Sequence, residues 1–200
     1  MAELTKYGKG ALKLIFTDYK TNYNSNILKD KLGLSNAGSL KLLRSLREQK
    51  LLIDRKMGKS IFYKINLEND YAMKVMELIL MEHGEMSIFT RGWIEELRPL
   101  GQHAKAMLLF GSLLKKGKEA GDVDVCFVLN GMKRFDALQA QIGELNRKNR
   151  LRIHPLFLPS PHIFELKLKE NDPPIVDLVK SCIVLKGVET FVEVLKHAQA

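Results

Sequence analysis

The stretch from Ala106 to Leu129 constrains this chain more than any other. Residues 106–110 form a short unbroken apolar run that stops at Gly111-Ser112, which reads as a buried strand. Leu113 to Lys116 suits the start of a helix, and Gly117-Lys118-Glu119-Ala120-Gly121 suits a loop. A second strand then runs from Asp122 to Leu129 and opens on Asp-Val-Asp. Side chains alternate along a strand, so Asp122 and Asp124 share one face, with Cα atoms about 6.5–7 Å apart. Two carboxylates that close on an otherwise apolar strand repel each other, and burying them is costly without a cation. Hard divalent ions meet that need, and Mg²⁺ typically takes one or two carboxylates together with the phosphates of a nucleotide. The Gly111-Ser112 bend offers backbone N–H groups and a hydroxyl at a helix start, which suits a phosphate.

This segment, FGSLLKKGKEAGDVDVCFVL, places Asp122 eleven positions after Gly111 and resembles the fingerprint of the DNA polymerase beta-like nucleotidyltransferases, particularly the small minimal ones. The resemblance covers residues 86–198, with its specific motif residues in 105–130. It implies an α/β nucleotidyltransferase fold, a mixed sheet flanked by helices. It implies that Gly111 and Ser112 bind the triphosphate of a nucleoside triphosphate, and that Asp122 and Asp124 hold Mg²⁺ or Mn²⁺. Lys115, Lys116 and Lys118 lie in the intervening segment, where they either attract the triphosphate or form a solvated basic loop. In that family metal ions stabilise charge while an acceptor oxygen attacks the α-phosphate and pyrophosphate leaves.

Three departures bear on activity. Leu114, Lys115 and Lys116 stand where the family often has a small residue, an Arg and a Gly, and Gly121 stands where it often has Ser. The strand expected over 151–158, after an amphipathic helix marked by Phe135, Leu138, Ile142 and Leu145, carries no acid where active members supply a third carboxylate. His154 is its polar residue expected to face the site, either as a substitute ligand or base or as a structural histidine. General-base assistance is commonly worth about 10²–10⁴ in rate. Two functions therefore stand open at this stage. One is transfer of a nucleoside monophosphate from NTP–Mg²⁺ to a hydroxyl acceptor. The other is a DNA-binding transcriptional regulator whose inactive nucleotidyltransferase-like domain acts as a nucleotide sensor or as an antitoxin-type module for a toxin-like partner chain.

The DNA-binding half of that alternative comes from the first third. Residues 1–70 hold 14 of the chain's 32 basic residues against 7 of its 23 acids, so most of the net charge of +9 lies there, as expected of a segment that meets a polyanion. Leu12, Ile15, Phe16 and Tyr19 make a helical stripe over 10–20. Asn24 or Ser25 caps a second helix with Ile27, Leu28 and Leu32, and Ser35 caps a third through about Gln49 with Leu40, Leu43 and Leu46 facing inward. Short strands over 51–54 and 61–65 flank the turn Arg55-Lys56-Met57-Gly58-Lys59. Three helices and a basic hairpin over residues 8–67 resemble the winged-helix family, which implies double-stranded DNA as partner. The third helix would then present Asn36, Ser39, Lys41 and Arg44 to the major groove, and Arg55, Lys56 and Lys59 would reach phosphates or the minor groove from the hairpin tip.

The expected organisation is α+β in two domains: a winged helix over 1–68, a linker helix over 69–85 and the nucleotidyltransferase-like domain over 86–200. The linker region carries Tyr71, Val75, Leu78 and Ile79 at helical spacing, and either joins the halves or pairs with its copy in a homodimer. A further helix is expected over 86–98 with Ile88, Phe89, Trp93 and Leu97 on its apolar side. Two cysteines, Cys126 and Cys182, exclude a disulfide scaffold, and His83, His103, His162 and His197 form no metal-ligand spacing. One of the longest uncharged stretches, between Arg152 and Glu165, is 12 residues, short of the roughly 18 that suggest a membrane span. The first 16 residues lack a small-residue cleavage site, so a cytoplasmic protein without a leader or membrane partner is expected.

Overall fold

The computed structural model describes residues 4–199; residues 1–3, part of the segment read for a leader, and residue 200 lie outside it. The architecture is α+β with two separate sheets, and the chain divides into two compact units, Met1–Ile79 and Leu80–Ala200. Among the described residues no helix is long and apolar enough to cross a membrane.

The first unit runs α1 (Lys6–Thr17), α2 (Ser25–Leu32), α3 (Asn36–Glu48), then a hairpin of β1 (Leu52–Met57) and β2 (Ser60–Ile65). Helix α1 begins before the predicted stripe because Thr5 caps it, its hydroxyl accepting the Gly8 N–H at 3.1 Å. It ends at Thr17, so Tyr19 lies beyond the helix on which the spacing puts it. Asn24 caps α2 by accepting the Ile27 N–H at 3.0 Å, and Gly33 ends it in the left-handed region at φ 66°. Leu12, Ile15 and Phe16 from α1, Leu28 from α2, and Leu43 and Leu46 from α3 are all buried with Tyr23 and Tyr63. Each such side chain withdrawn from water stabilises the unit by about 1.5–3 kcal/mol. Leu40, expected inward, is only half-buried.

The hairpin is tighter than predicted. Met57 pairs directly with Ser60, which leaves a two-residue turn of Gly58-Lys59 with Gly58 at φ 61°. Arg55 and Lys56 are therefore strand residues, paired with Phe62 and Ile61, and only Lys59 sits at the tip. Successive strand residues face opposite sides, so Arg55 and Lys56 leave the hairpin in opposite directions.

Helix α4 (Asp70–Met81) carries the chain into the second unit. Val75 and Ile79 are buried as the spacing predicts, but Tyr71 is exposed and Leu78 is 63% exposed. The second unit follows as α5 (Ile88–Leu97), β3 (Ala106–Phe110), α6 (Ser112–Lys116), β4 (Asp122–Val128), α7 (Phe135–Lys148), β5 (Arg152–Leu158), α8 (Pro161–Lys169), α9 (Pro173–Ser181), β6 (Ile183–Lys186) and α10 (Val188–Gln199). The sheet order is β5-β4-β3-β6; β4 and β5 are parallel, and the other pairs are antiparallel. Strand β6 is a fourth strand where the sequence shows only a short apolar stretch.

One sheet face carries Val123, Val125 and Phe127, packed in a core with Trp93 and Leu97 of α5 and Leu138 and Ile142 of α7. Ile88 and Phe89, expected on that apolar side of α5, are instead exposed, Ile88 at 86%, because they occupy the first turn outside the core. On the other face lie Cys126 and Val128, both fully buried; α8 and α10, joined by a tilted Phe164–Phe191 pair 6.2 Å apart, pack against β5 and β3. Both cysteines are free and buried.

Candidate functional site

Alternation puts Asp122 and Asp124 on the same sheet face as Cys126, at the end of β4 where neither carboxylate is buried. Neither is sealed beneath packing, and Asp122 keeps 36% of its side chain exposed. Strand β3 ends opposite them, with Phe110 paired to Asp124, and the chain then turns sharply at Gly111. Gly111 has φ 78° and ψ −151°, a region open essentially to glycine alone. The site also demands its lack of a side chain: a Cβ there would overlap Asp124 Oδ2 and stand 2.7 Å from its Cγ. Glycine is thus needed here for a close approach by the carboxylate.

Ser112 orients Asp122: its hydroxyl donates to Asp122 Oδ1 at 3.3 Å. The hydroxyl that the sequence suggests for a phosphate is engaged, in this structure, in holding that acid. Thr90 of α5, capped by Ser87, reaches the Leu113 carbonyl at 3.4 Å and ties α6 to the core side. Burial pushes the Asp124 carboxyl above its ordinary range, the Asp122 charge pushes it further, and the Ser112 N–H and His154 pull it back.

The parallel register brings His154 directly across from Asp124, and its Nδ1 lies 3.3 Å from Asp122 Oδ2. Asn146 of α7 accepts the N–H of Ile153 at 2.7 Å and so pins β5 one residue before the histidine. Asp122, Asp124 and His154 each offer a ligand atom, and these atoms all lie within 4.8 Å of one another. Ligands about 2.1 Å from a six-coordinate ion stand about 3 Å apart when adjacent and about 4.2 Å when opposite, so this donor set fits a divalent cation after small rotations.

Pairing also exposes a residue that sequence reading passed over. Arg152 pairs with Asp122, which puts it on the carboxylate face, and it is exposed. Only the strand register could reveal it. Lys115 and Lys116 end α6 and, with Lys118, line a cavity of about 680 Å³ beside Ser87, Ile88 and Phe89; neither aspartate lines it. The loop lysines thus stand beside the start of α5.

In the first unit, Asn36, Lys41 and Arg44 are exposed on α3. Ser39 is not: it is 0% exposed, and its hydroxyl donates to the Asn36 carbonyl at 3.1 Å. At 100° per residue Ser39 falls between Leu43 and Leu46, on the inward side, which corrects its expected place on the groove side. Arg47, unassigned by sequence, pairs with Asp54 of β1 at 2.6 Å and links α3 to the hairpin.

No family model matches the chain, and no curated protein matches it. A solved structure of a mutant of Lactococcus lactis ZitR is 18% identical, with a match covering 51% of this chain and 63% of that one at a TM-score of 0.35. This chain thus spans less than two thirds of that protein's length, and so loose a likeness assigns neither fold nor function.

Proposed function

We propose that this chain is a DNA-binding regulator built from a winged helix and a nucleotidyltransferase-like unit that binds a nucleoside triphosphate with a divalent cation. The observation that carries the nucleotide half is the meeting of two exposed-edge carboxylates with an imidazole where a third carboxylate would complete a transferase site. When bound, the cation neutralises the carboxylate pair and offers a positive centre to phosphate oxygens. Asp122 and Asp124 supply its oxygen ligands, Ser112 holds Asp122 in place, and Arg152 presents a cation to the phosphates from the same face. The DNA half is supported by Asn36, Lys41 and Arg44 exposed on α3, with Lys59 at the hairpin tip. Asn and Arg make paired hydrogen bonds to base edges, and lysines neutralise phosphates.

The test combines three measurements on the full chain. Thermal unfolding with Mg²⁺ and each NTP is expected to show stabilisation that Asp122→Asn abolishes. Pyrophosphate release under the same conditions is expected to stay at background. Duplex DNA binding by fluorescence anisotropy is expected to weaken steeply between low and moderate salt, and to change when nucleotide is added. A salt-independent titration would sink the DNA half, and absence of nucleotide-dependent stabilisation the other.

A second reading is favoured by the same carboxylates lying side by side and open to solvent: transfer of a nucleoside monophosphate to a hydroxyl, with His154 accepting the acceptor's proton. Pyrophosphate release by wild type that is lost in Asp122→Asn selects it.

A further inference from the structure

We propose that Asp122, Asp124 and His154 form a binding site for a first-row transition-metal dication, which they take in preference to Mg²⁺. This rests on the reading above, that the carboxylate pair holds a divalent cation, and adds which class of cation it is.

The argument starts from the donor atoms. Among the described residues the group able to hold a metal ion comprises two carboxylates and one imidazole, with no third acid. Mg²⁺ demands oxygen ligands in near-octahedral array and gives up its waters reluctantly, so an imidazole adds little to its binding. Imidazole nitrogen suits Co²⁺, Ni²⁺ and Zn²⁺ far better, and affinity of a mixed nitrogen and oxygen site rises along the first row. Replacing the third oxygen by nitrogen therefore strengthens one class of ion and not the other.

Local structure supports His154 as a ligand. The Ser112 hydroxyl holds Asp122, and Asp124 lies against the Gly111 bend, so the oxygen donors are oriented in advance. His154 is the exposed member: its side chain is 69% exposed, and its Nδ1 faces Asp122 Oδ2 at 3.3 Å. A ring so exposed can turn a nitrogen toward an ion at small cost. Its backbone, by contrast, is held in register opposite Asp124.

Isothermal titrations of the full chain with CoCl₂ and with MgCl₂ test this, together with the visible absorption of bound Co²⁺. Wild type is expected to bind one Co²⁺ at least about tenfold more tightly than Mg²⁺. His154→Ala is expected to lose about tenfold in Co²⁺ affinity while Mg²⁺ affinity stays within about twofold. His154→Asp, which restores an all-oxygen set, is expected to shift the preference back toward Mg²⁺. If His154→Ala weakens both ions equally, the histidine only orients Asp122; if it weakens neither, it is no ligand. Either result overturns this proposal and leaves the carboxylate reading intact. Co²⁺ and Mg²⁺ binding that ignores Asp122→Asn overturns both.

Discussion

Gly111→Ala should disable the site by moving Asp124, and its cost can be worked from the geometry. An L-residue at φ 78°, ψ −151° carries about 1–3 kcal/mol of backbone strain. The new Cβ would overlap Asp124 Oδ2, so the carboxylate must rotate away from its present rotamer. An off-rotamer side chain costs about 0.5–1.5 kcal/mol. With the backbone strain this gives a loss of about 2–4 kcal/mol. Trp93 is the only tryptophan in the chain and lies in the core of the second unit, so its fluorescence in urea reports that unit alone. At a urea slope of about 2 kcal/mol/M the midpoint should fall by about 1–2 M. Gly121→Ala is the control: a Cβ there meets nothing within 4 Å, and its stability should stay within about 0.5 kcal/mol of wild type. A Gly111→Ala protein with an unchanged midpoint would refute the idea that Asp124 is wedged against the bend.

Asp124→Asn tests the burial of that carboxylate by pH. Its folded-state pKa is raised, so the folded state binds the proton more tightly and stability is lost as pH rises through that value. In EDTA the variant should match wild type below the ordinary aspartate pKa and exceed it at neutral pH, read by urea midpoints; the reverse order would mean that the charge is stabilised in place. Gly92→Ala, inside α5 with open space at its Cβ, should stabilise the second unit by about 0.5–1 kcal/mol, read as a higher urea midpoint of Trp93 fluorescence. Lys41→Ala should weaken duplex binding and lower the salt slope by about one, whereas Ser39→Ala, at a buried position, should change DNA affinity by less than about twofold. Arg152→Ala should weaken NTP binding without moving the unfolding midpoint, because its side chain is exposed.

Local elements followed the sequence closely wherever their cause was local. The caps at Asn24 and Ser35 act over three residues, and each falls where a helix begins. Strand β3 and the start of β4 fall on the predicted residues because an apolar run ended by glycine and an alternating run are both short-range signals. The errors arose where faces had to be assigned. Ser39 is small enough to pack among leucines with its hydroxyl satisfied by its own helix, so polarity misled the choice of side. Ile88 and Phe89 are apolar, but the first turn of α5 has nothing to bury them against. The hairpin turn is shorter than the sequence predicts because Arg55 and Lys56, charged and turn-like by type, are held extended by pairing with Phe62 and Ile61.

What the sequence alone determined was that Asp122 and Asp124 point the same way on their strand, since a two-residue period requires nothing beyond the strand itself. Which third group joins them was decided by tertiary structure. His154 lies thirty positions after Asp124, and only the crossover through α7 and the parallel pairing of β4 with β5 bring the two together. A shift of one residue in that pairing would turn the imidazole to the opposite face, and register of that kind is set by packing across the whole unit.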